Sequence, residues 1–203
     1  MRRTKQEAAL TRQAILRSSL AVFSTRSYSG ARLDDVARLA GVTRGAVYWH
    51  FGSKAGLFEA LLEGSSTRVS EVVLGAFRED GNFTEVVGAA FQRLLTMVEQ
   101  DRGLQAVMEL ALLKTEDSPE LRTVRHRQLE AANSLVQALA EIMRQAATRK
   151  EIRPDISPEA AARGMLALQQ GIIQQWLLHP RAFSLGDISA AAAGIFLEGV
   201  RRK

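Results

Sequence analysis

The side chains best suited to chemistry in this sequence lie in one short stretch, residues 43–54, which reads TRGAVYWHFGSK. Near its start, Arg44 can donate a pair of hydrogen bonds to the O6 and N7 atoms of a guanine. Gly45 and Ala46 let a helix backbone approach the bases closely, and Tyr48 can reach a thymine methyl group or a phosphate. The stretch therefore predicts a helix whose N-terminal end enters the major groove of double-stranded DNA.

Several other groups of the same stretch are expected at the rim of the groove. Such groups usually bind sugar and phosphate, which fixes the position of the protein without identifying bases. The residues are Trp49, His50, Ser53 and Lys54, whereas Thr43 comes first, together with Arg44, at the N-terminal end that enters the groove. Each rim residue has an ordinary alternative: Trp49 a core aromatic, His50 a hydrogen-bonded surface residue, and Lys54 a solvated charge. For Phe51, the core is the preferred location.

Two short helices joined by a tight turn would position this stretch. Residues 33–40 predict the first helix, and Thr43 is a suitable N-cap for the second helix at residues 44–50. Gly41 allows the left-handed backbone of the turn, and Ala37 is small enough for the second helix to pack over it. The seam between the helices is expected to contain Val36, Leu39, Val42 and Val47. This combination predicts a helix-turn-helix.

Positive charge is concentrated around the predicted helix-turn-helix. The chain has a net charge of +5, but residues 1–54 contain ten Lys or Arg and three acidic residues, an excess of seven positive charges. The rest of the chain is near neutral, with 17 basic and 19 acidic side chains. Such a field attracts a polyanion. On charge alone, a solvated cationic face that aids solubility is an alternative.

The rest of the chain predicts more helices. Strong helix formers dominate and apolar residues repeat at about 3.6 positions, so we predict an all-α protein of about nine helices. Prolines fall at helix starts or just past helix ends. Besides the two helices above, the predicted ranges are 8–27, 53–77, 84–100, 104–115, 119–149, 158–178 and 185–200. The natural division is a small basic head at residues 1–52 and a larger body at residues 53–203.

Composition excludes several classes of protein. The chain contains no cysteine, so thiol nucleophiles, thiolate metal sites and disulfides are absent, as suits a reducing cytosol. No segment reaches the roughly 18 uninterrupted apolar residues of a membrane span. The three histidines are far apart and no common catalytic motif occurs, while Asp34 and Asp35 lie where a helix N-terminus favours negative charge. We expect a cytoplasmic protein without catalytic residues, metal or cofactor.

The run VTRGAVYWHFGSKAGLFEALL resembles the signature of the TetR family of bacterial regulators, and the similarity is strong over residues 12–62. The resemblance implies a three-helix DNA-binding domain at residues 1–52 and a ligand-binding and dimerisation domain at residues 53–203. It also implies a homodimer that releases DNA when a small molecule binds. The opening RRTKQEA, the run TRGAVYWHF and the segment GIIQQWLLHP at residues 171–180 most resemble the subgroup that represses multidrug efflux pumps.

One departure from the family lies just before the second helix. The family usually has Thr or Ser there, which caps the helix and touches phosphate, whereas this chain has Ala31 and Arg32. Arg32 is expected to hold the phosphate instead. The lost cap should cost about 1 kcal/mol.

The body carries candidates for a ligand pocket. Gln170 and Gln174 lie four residues apart on a predicted helix face that also presents Leu166 and Leu177, where a glutamine pair could orient a ligand. The resemblance indicates the same stretch and adds apolar residues of other helices: Phe91, Leu94, Met108, Leu112, Leu129 and Val136. Methionine and leucine suit a bulky, mostly apolar effector. Ordinary core packing is the alternative for each.

Small residues recur at helical spacing on the last two predicted helices. They are Gly164, Ala167 and Gly171 on one helix, and Ala190, Ala193 and Gly194 on the other. In the TetR family these two helices of each subunit form a four-helix bundle across the dimer axis, and small faces suit that role. Packing within one chain is the alternative.

The function expected from these features is that of a sequence-specific transcription regulator. It would be a repressor released from its DNA operator by a small, mostly apolar ligand, with control of a multidrug efflux pump as the regulated process. An architectural DNA-binding protein without an effector is the alternative, because that function needs only the basic head and a dimer surface. An enzyme is the more distant rival.

Overall fold

The computed structural model describes residues 5–114, 118–179 and 182–202. These residues form nine α-helices and one short 3-10 helix, which confirms the all-α prediction. In chain order the α-helices are α1 Lys5–Gly30, α2 Leu33–Ala40, α3 Arg44–Phe51, α4 Lys54–Ala76, α5 Phe83–Gln100, α6 Arg102–Leu113, α7 Arg122–Thr148, α8 Pro158–Leu178 and α9 Leu185–Val200. The 3-10 helix, Pro119–Leu121, directly precedes α7.

Polar side chains start several of these helices. Ser157 and Ser184 each accept a hydrogen bond from a backbone N–H three residues later, at 3.1 and 3.2 Å, at the starts of α8 and α9. Asn82 and Glu85 exchange such bonds at the start of α5, forming a capping box. Local capping therefore explains why α8 and α9 begin at the predicted residues.

Several predicted boundaries differ from the observed ones. The helix α1 extends three residues beyond the predicted range 8–27 at each end, with a kink at Ser27, and the bounds of α3, α4 and α5 differ by one residue. The single helix expected from residue 119 begins with a 3-10 turn, and α7 follows it. The helix α6 begins at Arg102, before the predicted residue 104, because Asp101 accepts a hydrogen bond from the Leu104 N–H at 2.9 Å and so caps an earlier start. The predicted end of that helix at Thr115 and the proline stop at Pro180 lie outside the described residues.

The first of two compact units comprises the described parts of Met1–Ser65 and Ala106–Gln128. An aromatic cluster lies in its core, where the Phe58 ring centroid is 5.3 Å from that of Phe23 and 5.1 Å from that of Tyr28. Val107 and Leu121 join the same core, so the unit extends beyond the N-terminal helices. The functional boundary at residue 52 stays a prediction, since compactness alone does not define where DNA binding ends.

The second unit comprises the described parts of Ser66–Gln105 and Leu129–Lys203. Within it α5 packs against both α8 and α9, and α8 packs against α9. Glu99 on α5 caps α9, because its carboxylate accepts hydrogen bonds from the N–H groups of Leu185 and Gly186 at 2.9 and 3.0 Å. Within the described ranges, no helix has the length and apolar character of a membrane span.

Candidate DNA-binding site

The turn between α2 and α3 has the geometry that its residues predict. Gly41 has φ 67° and ψ 30°, the left-handed conformation that favours glycine. Its N–H donates to the Arg38 carbonyl at 3.2 Å, and the Val42 N–H donates to the Ala37 carbonyl at 3.0 Å. Ala37 is buried. The helix-turn-helix prediction is confirmed at these positions because both the turn and the small contact residue are in place.

The seam between α2 and α3 differs from the prediction at one residue. Val36 and Val47 are fully buried and Val42 packs beside them, as expected. Leu39, however, is 59% exposed, so its assignment to the seam is wrong. At about 100° per residue, Leu39 lies roughly 110° from the centre of the α2 face defined by its buried residues. Ala40 occupies that face instead.

The two helices of the motif start differently. Thr43 caps α3, since its hydroxyl oxygen accepts a hydrogen bond from the Ala46 N–H at 3.2 Å. At the start of α2, Arg32 provides no side-chain cap, as predicted from the missing Thr or Ser. Ala31 is buried, whereas the Arg32 side chain is exposed. Arg32 is therefore accessible to a phosphate.

A surface recess of about 760 Å³ lies beside α3. Trp49 on its wall is 75% exposed, which excludes the core for this aromatic residue. The His50 ring packs edge-on to the Trp49 ring, at 4.6 Å between centroids. Phe51, by contrast, packs against the core, as preferred. The recess is lined by Ala8, Gly41, Val42, Thr43, Gly45, Ala46, Trp49 and His50.

Arg44 is held by two neighbours on the surface of the motif. Its Nη1 atom donates to the Asp34 carboxylate at 3.1 Å and its Nη2 atom to the Tyr48 hydroxyl at 3.1 Å. The guanidinium carbon also lies 5.4 Å from the Tyr48 ring centroid. The hydrogen bond to Tyr48 and the charge of Asp34 raise the pKa of Arg44. More than half of the Arg44 and Asp34 side-chain surface stays exposed, so Arg44 remains accessible.

Lys54 is engaged with the end of α1. Its Nζ atom donates to the carbonyls of Ser29 and Ala31 at 3.3 and 3.2 Å, and lies 4.4 Å from the Tyr28 ring centroid. A cation at a helix C-terminus stabilises the last carbonyls. Lys54 thus joins the start of α4 to the end of α1, and its contact with phosphate stays a prediction. The neighbouring Ser53 caps α4 by accepting a hydrogen bond from the Gly56 N–H at 2.9 Å.

Gly56 also has a role that the sequence pattern did not reveal. A Cβ atom on this residue would lie 2.2 Å from the carbonyl oxygen of Phe51, the last residue of α3. Glycine at this position lets the start of α4 approach the end of α3 directly. Helical periodicity carries no signal for such a contact, because a glycine inside a helix normally indicates only weaker helix propensity.

Comparison with known proteins identifies the group to which this motif belongs. Residues 15–61 match the family described as "Bacterial regulatory proteins, tetR family". Residues 85–197, more than half of the chain, match "BetI-type transcriptional repressor, C-terminal". The chain belongs to the TetR family of bacterial regulatory proteins. It is therefore a DNA-binding transcription regulator, and the resemblance found in the sequence is confirmed.

Individual TetR-family proteins match along most of their length. The chain is 30% identical to the transcriptional regulator AcrR of Shigella flexneri, over 97% of this chain and 92% of AcrR. It is 32% identical to the transcriptional repressor BepR of Brucella suis biovar 1, over 91% and 89% of the two chains. The structure of NalD, the secondary repressor of the MexAB-OprM multidrug efflux pump in Pseudomonas aeruginosa, superposes with a TM-score of 0.76. That match covers 98% of this chain and 100% of NalD at 29% identity.

The predicted pocket residues of this TetR-family chain fall into three groups. Phe91, Leu94 and Val136 are buried, and the Phe91 ring lies 6.1 Å from that of Phe196. Met108 and Leu166 are half-buried. The exposed residues are Leu112, Leu129, Gln170 and Gln174. Met108 and Leu112 belong to the first compact unit and the other residues to the second. Assignment of these residues to an effector pocket stays a prediction.

The buried glutamine of α8 is Gln169, next to the predicted pair. Gln169 is 1% exposed and lies on the same helix face as the buried residues Met165 and Ile173. Neither its amide nitrogen nor its amide oxygen has a hydrogen-bond partner within the described chain. Gln170 and Gln174, the pair predicted to orient a ligand, are exposed because the buried face of α8 is centred on Gln169. Each lies one position after a buried residue and therefore about 100° further around the helix.

The predicted dimer residues of this regulator are mostly at the surface of the protomer. Gly164, Ala167 and Ala190 are exposed, and Gly171 and Gly194 are half-buried. Ala193 differs, because it is buried within the protomer. A Cβ atom added to any of the three glycines would meet no atom of the described chain within 4 Å. Packing within one protomer therefore does not explain these glycines, and their place in a dimer interface stays a prediction.

Proposed function

We propose that this regulator is a cytoplasmic repressor that binds operator DNA as a homodimer and acts by binding, without catalysis. A small, mostly apolar molecule releases it from the operator. The observation that carries the proposal is the outer surface of α3, where Arg44, Tyr48 and Trp49 are exposed on a capped helix inside a basic segment. The likeness to NalD supports control of a multidrug efflux pump as the regulated process.

Arg44 and Arg32 have different proposed contacts with DNA. Arg44 contacts a guanine edge and specifies a base, whereas the exposed Arg32 contacts phosphate and only adds affinity. The test is a selection of duplexes from a random library, followed by titrations at several salt concentrations. Arg44→Ala should cost about 1–3 kcal/mol at one base position and relax preference there. Arg32→Ala, the matched control, should weaken all duplexes alike and flatten the salt dependence by about one charge. Equal behaviour of the two variants would contradict the proposed roles.

A dimer with two-fold symmetry matches the spacing of successive major grooves in the DNA that the protein binds. Successive major grooves on one side of a duplex are about 34 Å apart, so two copies of α3 can contact two half-sites at that spacing. Glycine inside a helix costs roughly 0.5–1 kcal/mol relative to alanine, and Gly164, Gly171 and Gly194 touch nothing within the described protomer that would require them. A second copy packed closely against α8 and α9 accounts for them.

The proposed effector contacts Gln169. A buried amide without partners costs about 1–3 kcal/mol, so an unpaired amide on the buried face of α8 needs a function. Phe91 and Met165 are likewise buried in the second unit. An amide can both donate and accept, so it would hold an aromatic compound that carries one hydroxyl or amide group.

Two glutamines of α8 allow a controlled test of the effector proposal. Gln169→Leu should raise the melting temperature of the free protein, because it removes an unpaired amide, and should reduce the stabilisation given by a panel of aromatic phenols and amides. Gln175→Leu on the exposed face of α8 should change neither property. A Gln169→Leu protein that is less stable, or that retains the full ligand-dependent shift, would overturn the assignment. An architectural protein without an effector would show no shift with any compound.

A further inference from the structure

We propose that Asp34 sets the base selectivity of α3, the recognition helix, by positioning Arg44 for a guanine edge and disfavouring its pairing with phosphate. The inference rests on the proposed reading of guanine by Arg44. Asp34 lies ten residues before Arg44, in the first turn of α2, and the two side chains meet across the turn at 3.1 Å.

The two adjacent acids at the start of α2 have different partners. Asp35 is only 13% exposed and its carboxylate pairs with Arg26 and Arg38. Asp34 is 54% exposed and pairs with Arg44. Either acid satisfies the preference of a helix N-terminus for negative charge, so that preference does not explain why both are present. The contact with the recognition helix distinguishes Asp34.

The position of Asp34 opposes simple attraction to DNA. Residues 1–54 carry an excess of seven positive charges, yet Asp34 places an exposed carboxylate beside the side chain that is expected to enter the groove. A carboxylate near phosphates lowers affinity for any duplex. A feature that weakens binding to every sequence improves specificity when it weakens the wrong complexes more.

The geometry around Arg44 allows Asp34 to weaken contact with phosphate more than contact with guanine. A guanidinium has five N–H donors, and the contacts with Asp34 and Tyr48 use two of them, leaving donors for a base edge. If Arg44 turns to a phosphate, a full negative charge comes close to the Asp34 carboxylate. The O6 and N7 atoms of guanine carry only partial charge, so guanine and Asp34 can share the guanidinium. Asp34 thus favours base contact over backbone contact.

The test compares Asp34→Asn with Asp35→Asn, two variants that remove the same charge from the same helical turn. Affinities are measured at one salt concentration for the selected duplex, for the same duplex with the Arg44-contacted guanine replaced, and for an unrelated duplex. Asp34→Asn should lower discrimination against the replaced guanine by about two- to fivefold, the range of an exposed ion pair, and should strengthen binding to the unrelated duplex. Asp35→Asn should leave discrimination unchanged. Discrimination is a ratio measured on one preparation, so partial unfolding cancels.

The Arg44→Ala variant distinguishes a failure of the proposed role of Arg44 from a failure of the inference about Asp34. In that background Asp34→Asn should cause no further loss of discrimination, because Asp34 acts through Arg44. If Arg44→Ala itself leaves discrimination intact, the proposed function of Arg44 fails. If Arg44→Ala lowers discrimination but Asp34→Asn does not, or both Asn variants lower it equally, only the inference about Asp34 is overturned. An increase in discrimination by Asp34→Asn would also overturn it.

Discussion

Gly56 offers a direct test of how the recognition helix is attached to the rest of the DNA-binding unit. In Gly56→Ala the new Cβ would lie 2.2 Å from the Phe51 carbonyl oxygen and 3.4 Å from the Ser53 hydroxyl oxygen. A backbone carbonyl cannot rotate away, so the junction of α3 and α4 must shift. Overpacking of this kind costs typically about 1–3 kcal/mol, and a contact this short belongs near the upper end. Alanine regains up to about 1 kcal/mol of helix propensity, which leaves a net loss of about 2 kcal/mol.

Gly64 on the same helix is the matched control. It is exposed, and a Cβ atom there would meet nothing within 4 Å, so Gly64→Ala should raise stability by roughly 0.5–1 kcal/mol. Urea unfolding of the two variants and the native protein measures both changes. In DNA titrations below the unfolding range, only Gly56→Ala should bind more weakly, because its shift displaces α3. If Gly56→Ala gains stability as Gly64→Ala does, the close approach of the two helices is refuted.

Two further predictions concern stability. Burial acts to raise the pKa of Glu99, but hydrogen bonds from Gly186, Ser184 and Leu185 outweigh burial, so the pKa is lowered. The stability that this cap contributes is therefore present at neutral pH. It is lost as the pH falls below the ordinary glutamate pKa of about 4.3 and then through the lowered pKa of the folded protein. Glu99→Gln should therefore lower the free energy of unfolding by about 1 kcal/mol at pH 7. In thermal unfolding, the stability of this variant should also fall less steeply as the pH is lowered. An unchanged dependence of stability on acid pH would contradict the role of Glu99 as a cap. Ser27, inside α1, has φ 56° and ψ 178°, a conformation that costs a non-glycine residue about 1–3 kcal/mol. Ser27→Gly should therefore raise the unfolding midpoint. A lowered midpoint would count against strain at this kink of α1.

Features that depend on neighbouring residues in the chain were predictable from the sequence. The Thr43 cap, the left-handed Gly41 turn and the bounds of α8 and α9 each depend on a residue type at a helix end, and the structure has them as predicted. The prediction for Leu39 was wrong because an eight-residue helix offers too few apolar positions to define its buried face.

Features that depend on contacts between distant segments were not predictable. The amino group of Lys54 meets carbonyls more than twenty residues away, a contact that only the packing of α4 against the end of α1 creates. Gln169 differs from the exposed Gln170 only by its place on α8, and which of two adjacent glutamines points inward depends on how that helix packs. The pairing of Asp34 with Arg44 likewise required the angle between α2 and α3.

The central claim is that the helix beginning after Thr43 enters the major groove twice, once from each copy of the protein. The most direct measurement is the footprint of the protein on duplexes selected from a random library, combined with the stoichiometry of the complex by analytical ultracentrifugation. We expect two inverted half-sites whose centres are about 10 base pairs or a multiple of that apart, with protomers bound in pairs. In the Arg44→Ala footprint, one base of each half-site should no longer be protected. A single unrepeated site occupied by one protomer, or no enrichment of any sequence, would contradict the claim.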